Sequence, residues 1–266
     1  MPNPIALLLK RQPSRLLAVS LLVLSLLSSL KCAQAGTAQN APAELQSLLT
    51  QVDTAASRGD VKGVVQFYSP NFTHSDGLTR PSMEKALTSL WQRYPKLKYT
   101  TQLQSWTPEG NAIVAEIVTN ITGLPSATSN NMALNATIRS RQRITSGKIV
   151  RQDILSERTL LTSGAKPPRV ELKLPQQVKV GQQYNLDAIV QEPLGDDYLL
   201  GAALEETIKP DKYLTPTQVD LELLSSGGIF KIGRAPTVPG SQWISAVVMR
   251  GEGTTMITQR LQVVNR

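Results

Sequence analysis

The sequence is poor in the side chains that carry most enzyme chemistry. Its 266 residues include one Cys, one His and three Phe. A single Cys closes no internal disulfide and builds no Cys-rich metal site. A single His excludes multi-histidine zinc centres and every mechanism that needs two imidazoles. There is no Gly-rich phosphate loop, no Gly-x-Ser-x-Gly elbow and no metalloprotease motif. The acid-rich stretches near Glu192 and Glu205 lack the spacing of a calcium loop. Neither a metal nor a cofactor is therefore expected. Charged residues make up 18% of the chain and apolar residues 41%, which argues against a disordered chain and against a polytopic membrane protein. The length suggests two modest domains, at roughly 100–200 residues each.

Residues 1–35 contain Lys10, Arg11, Arg15 and Lys31 and no acidic residue. Between Arg15 and Lys31 runs LLAVSLLVLSLLSSL, 15 residues long. A spanning helix needs roughly 20 apolar residues, so the run fits the core of a signal peptide, and the mature chain is expected to carry no transmembrane anchor. Ala33-Gln34-Ala35 gives the small-x-small pattern for cleavage after Ala35. A lipoprotein reading centred on Cys32 is disfavoured by Lys31 before it. With no Arg-Arg pair, the general secretory route is expected, delivering the protein to the periplasm or another extracytoplasmic space. Without this segment the basic residues fall from 28 to 24 against 20 acidic, and the net charge falls from +8 to +4. Half of the basicity thus belongs to the leader, which argues against nucleic acid as a partner.

The mature chain begins with helical periodicity. Leu45, Leu48, Leu49, Val52, Ala55 and Ala56 form one apolar stripe. Gly59 ends that helix and Asp60 caps a second, marked by Val61, Val64, Val65 and Tyr68. After a short extended piece and an Asp76-Gly77 turn, Thr79 and Pro81 start a third helix. Its stripe is Met83, Ala86, Leu87, Leu90, Trp91 and Tyr94, and Pro95 ends it. From Leu97 the period changes to two, giving four long strands with a Ser146-Gly147 turn before the last. This order predicts an α+β cone over 41–163, three helices packed on a curved antiparallel sheet.

The same order resembles the nuclear transport factor 2-like (SnoaL-like) superfamily. So do the phrase VVQFYSPNFTHSDGLTRPSMEKAL, the strand ending at Gly123 and the Gly147-Lys148-Ile149 turn. That superfamily mixes isomerases, dehydratases, small-ligand binders and protein-binding modules, so the resemblance implies a shape and a pocket rather than a reaction. It implies that Tyr68, Phe72, Trp91, Tyr94, Tyr99 and Trp106 are candidates to line a ligand pocket, with core packing as the plain alternative for the helical aromatics. It also implies an occasional homodimer through the sheet.

Three residues are candidates for proton transfer. His74 and Asp76 lie two apart in an extended segment, so both side chains point to one face, where a carboxylate can tune an imidazole. The alternative is a turn in which Asp76 bonds its own backbone. Glu116 is mid-strand: facing inward it would be a base with a raised pKa, facing outward an ordinary solvated residue. Arg139, Arg141 and Arg143 share one strand face, either an anion or partner surface or a solvated face paired with acids.

After a linker-like stretch at 164–168, only strand-like runs remain. About seven of them over 169–265, with Pro236-Thr237-Val238-Pro239-Gly240, the strand WISAVVM and the turn Gly251-Glu252-Gly253, resemble a bacterial immunoglobulin-like β-sandwich. The whole is expected to be an exported, non-enzymatic binding or assembly module that holds a small apolar ligand or a protein partner in the cone pocket or on the sheet face. The alternative is an isomerase- or dehydratase-like enzyme acting by proton transfer in that pocket.

Overall fold

A computed structural model describes residues 36–195, 197–215 and 217–265, without the side chain of Ser129. The expected leader at 1–35 lies outside the described residues. The chain is mostly antiparallel sheet with few helices. Its elements, in order, are β1 (Gly36–Thr37), α1 (Ala43–Ser57), α2 (Val61–Val65), β2 (Tyr68–His74), α3 (Arg80–Arg93), β3 (Leu97–Glu109), β4 (Ala112–Gly123), β5 (Ala133–Thr145), β6 (Lys148–Gly164), β7 (Val170–Lys173), β8 (Gln177–Lys179), β9 (Gln183–Val190), β10 (Leu199–Thr207), β11 (Glu222–Leu223), β12 (Gly228–Arg234), β13 (Gly240–Arg250) and β14 (Gly253–Val264). No helix among the described residues is long and apolar enough to cross a membrane.

α1 and α3 form where the sequence places them, for local reasons, while α2 stops at Val65 and Tyr68, whose spacing read as helical, opens β2 instead. The Asp60 carboxylate accepts the Gly63 N–H at 2.8 Å at the start of α2. Thr79 and Ser82 make a reciprocal capping box at the start of α3, with Pro81 inside its first turn. The apolar stripes then settle on one face of the sheet. Leu45, Leu48 and Leu49 of α1 and Met83 and Trp91 of α3 share a core with Ile117 and Ile121 of β4 and Ile149 of β6. Register shifts between Arg139 and Ser140 and between Arg143 and Ile144 bulge the β5–β6 ladder, and another lies between Leu103 and Ser105 in β3. Such bulges bend and twist a sheet, here around the helices.

One sheet runs through both halves of the chain. Eleven strands belong to it, in the order β1-β3-β4-β5-β6-β14-β13-β10-β11, with β2 and β8 added in parallel to β6 and β14. Strand β6, 17 residues long, makes this continuity. One edge pairs with β5 from Lys148 to Thr162, while on the other edge β2 pairs near the start and Arg158–Gly164 pair with Gln259–Gly253 of β14. The three-stranded sheet β12-β9-β7 lies over the C-terminal part of the large sheet. Leu186 and Ala188 of β9 share a second core with Ile244, Ala246 and Val248 of β13 and Leu261 of β14. The C-terminal half is thus a two-layer β structure of eight strands where about seven were expected, and one of its layers continues the N-terminal sheet rather than closing as a separate sandwich.

The junction depends on Gly164. Its φ is +87°, and a Cβ there would sit 1.7 Å from the Glu252 carbonyl oxygen. Gly164→Ala combines a left-handed backbone with a clash against main chain, so it is expected to cost more than about 1 kcal/mol. Urea unfolding of the variant checks this as a lowered midpoint at unchanged slope.

Candidate functional site

The helices and the concave face of the sheet line a partly open pocket of about 290 Å³. Leu49 and Val52 of α1, Met83, Leu87 and Leu90 of α3, and Ile117, Ile121 and Ile138 of the sheet give it apolar walls. No Lys or Arg lines it among the described residues. Its carboxylates, Asp53 and Glu157, are both engaged. Asp53 accepts the Thr101 N–H and O–H, each at 2.6 Å. Glu157 accepts the Trp243 indole N–H at 3.0 Å and two guanidinium N–H groups of Arg260 at 2.9 and 3.3 Å.

Pairing across three strands sets one polar row in this apolar space. Gln142 of β5 stands opposite Gln152 of β6, and Gln152 stands opposite His74 of β2. Facing positions share a face of the sheet, and all three side chains line the cavity together with Tyr68. The bonds within the row are long. Gln142 Nε2 donates to Gln152 Oε1 at 3.4 Å, and the Tyr68 O–H reaches the same oxygen at 3.5 Å. Gln142 Oε1 is buried with no hydrogen-bond partner among the described residues. Burial pushes the Tyr68 hydroxyl up to about 12, with the neighbouring Tyr99 adding to the rise.

His74 is in the cavity wall with its side chain only 6% exposed. Its Nδ1 accepts the Asp76 backbone N–H at 3.1 Å, so the ring proton is on Nε2. The Asp76 carboxylate is 3.7 Å from Nδ1, beyond hydrogen-bond reach of a nitrogen already used as an acceptor. Burial lowers the imidazole pKa, and the charge of Asp76 only partly opposes it. The ring is therefore neutral near pH 7, and the expected His–Asp dyad is not formed.

Asp76 faces the other way, into a buried ion cluster. Arg260 of β14, its side chain 1% exposed, donates in fork geometry to both Asp76 oxygens, at 2.9 and 2.8 Å. The Tyr213 hydroxyl also donates to Asp76, and the Tyr213 ring packs edge-on against Trp243 with centroids 4.9 Å apart. Burial alone would raise the Asp76 pKa, but the hydrogen bonds and charge of Arg260 more than offset it and leave the group low. Tyr213, from a short 3-10 turn at Pro210–Tyr213, also lines the cavity. The C-terminal half thus contributes a wall to the pocket of the N-terminal half.

The remaining sequence candidates divide cleanly. Tyr68, Trp91 and Tyr99 line the cavity, with the Trp91 indole N–H on the Tyr99 hydroxyl at 3.0 Å. Burial pushes that hydroxyl up to about 12. Phe72, Tyr94 and Trp106 do not line it. Phe72 is core, edge-on to Tyr68 with centroids 4.9 Å apart. Tyr94 is buried just past α3. Trp106 packs against Gly36, where any Cβ would sit 2.4 Å from its indole nitrogen.

Glu116 is on the opposite face of the sheet, bonded by Arg139 at 2.8 Å and Arg141 at 2.6 Å. The hydrogen bonds of Arg141 and then Arg139 hold its carboxyl below the usual range, which is the reverse of what a general base needs. Arg143 pairs with Glu109 and Arg151 with Asp153. Each arginine of the stripe therefore already has a carboxylate. No group of three His, Cys, Asp or Glu side chains among the described residues is placed to hold a metal ion.

The cavity residues that sequence reasoning passed over are Asp53, Gln142, Gln152, Glu157 and Tyr213. Gln142 alternates with Arg141 and Arg143 on β5, so the pleat alone puts it on the face opposite the arginines. That was the one available signal.

Comparison with known proteins adds little chemistry. Residues 165–264 match a family described as a domain of unknown function (DUF8623). The sequence finds no significant match among curated proteins. Solved structures with partial likeness include Bd1075 of Bdellovibrio bacteriovorus, at 16% identity and a TM-score of 0.32 over 42% of this chain and 38% of that one. A putative scytalone dehydratase of Novosphingobium aromaticivorans gives 9% identity and a TM-score of 0.36 over 42% of this chain and 80% of that one. A putative polyketide cyclase from a Silicibacter species gives 18% and 0.33 over 42% and 87%. The chain spans well under half the length of the Bdellovibrio protein.

Proposed function

We propose that the protein is an exported module that holds a small, largely apolar molecule in the cavity of its N-terminal cone. The observation that carries this reading is the apolar pocket of about 290 Å³, open to solvent on one side, with one loosely bonded polar row in its wall. A packed core ordinarily leaves no such void, and ligand sites combine apolar walls with a few placed polar groups. Holding is preferred to catalysis because the carboxylates near His74 are already bonded. Asp76 and Glu157 both accept from Arg260, which leaves the imidazole without an acidic partner.

One observation favours the second reading, an isomerase- or dehydratase-like proton transfer: the neutral imidazole of His74 is itself in the cavity wall, the protonation state of a general base. The leader-like residues 1–35 support export. The arginine–carboxylate face of the sheet, being self-paired, offers little to an anionic partner, and a homodimer through that face would have to bury these ion pairs.

Native mass spectrometry of protein purified from its own cells tests the main reading. The expected result is a retained small-molecule mass that disappears in Leu87→Trp, which fills the cavity from α3. Bare protein for both forms overturns it.

A further inference from the structure

The polar row specifies what kind of molecule the cavity accepts. We infer that the ligand is a neutral, largely apolar alcohol or phenol, whose hydroxyl is received at Gln142 while an oxygen accepts the His74 Nε2 proton. This inference rests on the ligand-holding reading and narrows it.

Gln142 lines the cavity and is 5% exposed, and its Oε1, closed to water as the amide stands, has no partner among the described residues; a turn of the amide would present it to the cavity. An orphaned buried acceptor costs about 1–3 kcal/mol of desolvation, which a donor from a ligand removes. His74 offers the complementary half. With Nδ1 occupied by the Asp76 N–H, the ring has Nε2 left to donate into the cavity that His74 lines. The site therefore asks for one donor and one acceptor from its ligand. A carboxylate or phosphate ester dianion only accepts, and an ammonium only donates. A hydroxyl does both.

Charge narrows the choice in the same direction. No Lys or Arg lines the cavity among the described residues, while Asp53 and Glu157 do. The guanidinium beside it, Arg260, is bonded on Asp76 and Glu157. An anionic ligand would lose its hydration and gain no counter-charge. A cation would meet Asp53, each of whose oxygens already accepts from Thr101, and Glu157, whose Oε2 accepts from Trp243 and from Arg260, the cation that already faces it. The weakness of the Gln142–Gln152 and Tyr68–Gln152 contacts, at 3.4 and 3.5 Å, leaves these groups free to turn toward an incoming oxygen.

The test is a matched series of three bicyclic probes titrated into the protein and read from Trp91, which lines the cavity. Naphthalene reports the apolar walls alone, 2-naphthol adds a hydroxyl, and 2-naphthoate adds a negative charge on the same rings. The expected result is 2-naphthol binding at least about tenfold tighter than both others, the difference one good hydrogen-bond set makes. In Gln142→Leu the preference for 2-naphthol over naphthalene should shrink to near parity while naphthalene binding is kept. Equal binding of naphthalene and 2-naphthol by the unaltered protein overturns the hydroxyl assignment and leaves the ligand-holding reading intact. Tightest binding of 2-naphthoate overturns neutrality. Failure of all three to bind removes the ligand-holding reading itself. The series on unaltered protein decides between these outcomes even where Gln142→Leu fails to fold.

Discussion

Arg260→Ala is expected to cost about 3–5 kcal/mol of stability, the range seen when one partner of a buried charge network is removed. That is a large share of a folding free energy of about 5–15 kcal/mol. The cost comes from what remains. Asp76, with its side chain 3% exposed, would keep the Tyr213 hydroxyl but lose both guanidinium bonds. Glu157 would keep only the indole N–H of Trp243. Two carboxylates would then share a site from which water is largely excluded. Arg260→Lys should recover only part of the loss, because one ammonium cannot serve the Asp76 fork and Glu157 together. Arg260→Met with Asp76→Asn and Glu157→Gln should recover more than the lysine does, since it removes the stranded charges. Urea denaturation of the three variants measures all of this, and a cost for Arg260→Ala within about 0.5 kcal/mol, the size of an ordinary surface change, would show the cluster to be energetically idle.

Acid should unfold the protein in two stages, each with a named group. The sequence has one His, so a slope of stability in the histidine range has one side-chain source. Burial lowers the His74 pKa in the folded state, below the usual value of about 6.5. As pH falls below that value, the unfolded chain takes up a proton that the folded chain refuses. Stability then declines by up to about 1.4 kcal/mol per pH unit until the folded imidazole also titrates. His74→Gln retains an acceptor for the Asp76 N–H and should flatten this stage. The second stage is led by the buried Asp76, whose folded pKa lies below its unfolded one because Arg260 outweighs the effect of burial, with the more exposed Glu116 and Glu192, also held low by arginines, adding less. The Asp76 contribution is complete above about pH 4 and is lost as pH falls through the folded value. Thermal melts from pH 7 to pH 3 follow both stages. A flat profile between pH 7 and pH 5 in the unaltered protein would contradict the buried, neutral assignment of His74.

Local structure was legible in the sequence because its causes are local. The stripes at Leu45–Ala56 and Met83–Trp91, the caps at Asp60 and Thr79 and the alternation from Leu97 onward each arise within a few residues. The pocket was half legible. The family resemblance pointed to Tyr68, Trp91 and Tyr99, and the imidazole itself to His74, whereas Gln142 and Gln152 carry no chemical signal beyond facing inward. The cluster at Asp76 was not legible at all. Arg260 alternates with Leu261 and Gln259 as a solvent-facing residue would, and nothing near it marks a carboxylate that lies 184 positions earlier. Glu116 was legible in part: its alternation with Ile113, Ala115 and Ile117 favoured the outward reading, and the pleat puts it beside Arg139 and Arg141.

The sharing of β6 between the two halves has a consequence for the order of events during synthesis. The N-terminal cone can form its helices and its β3–β5 meander early, from contacts close in sequence. Its ion cluster must wait for residue 260, and the outer half of β6 stays an open edge until β14 has been made. Non-local pairing of this kind slows folding, because a long loop must close before its contacts offset the lost entropy. A nascent chain that has passed residue 164 but not 253 therefore holds Asp76 and Glu157 without their arginine. The pocket wall and its ion cluster are complete only once β14 has emerged.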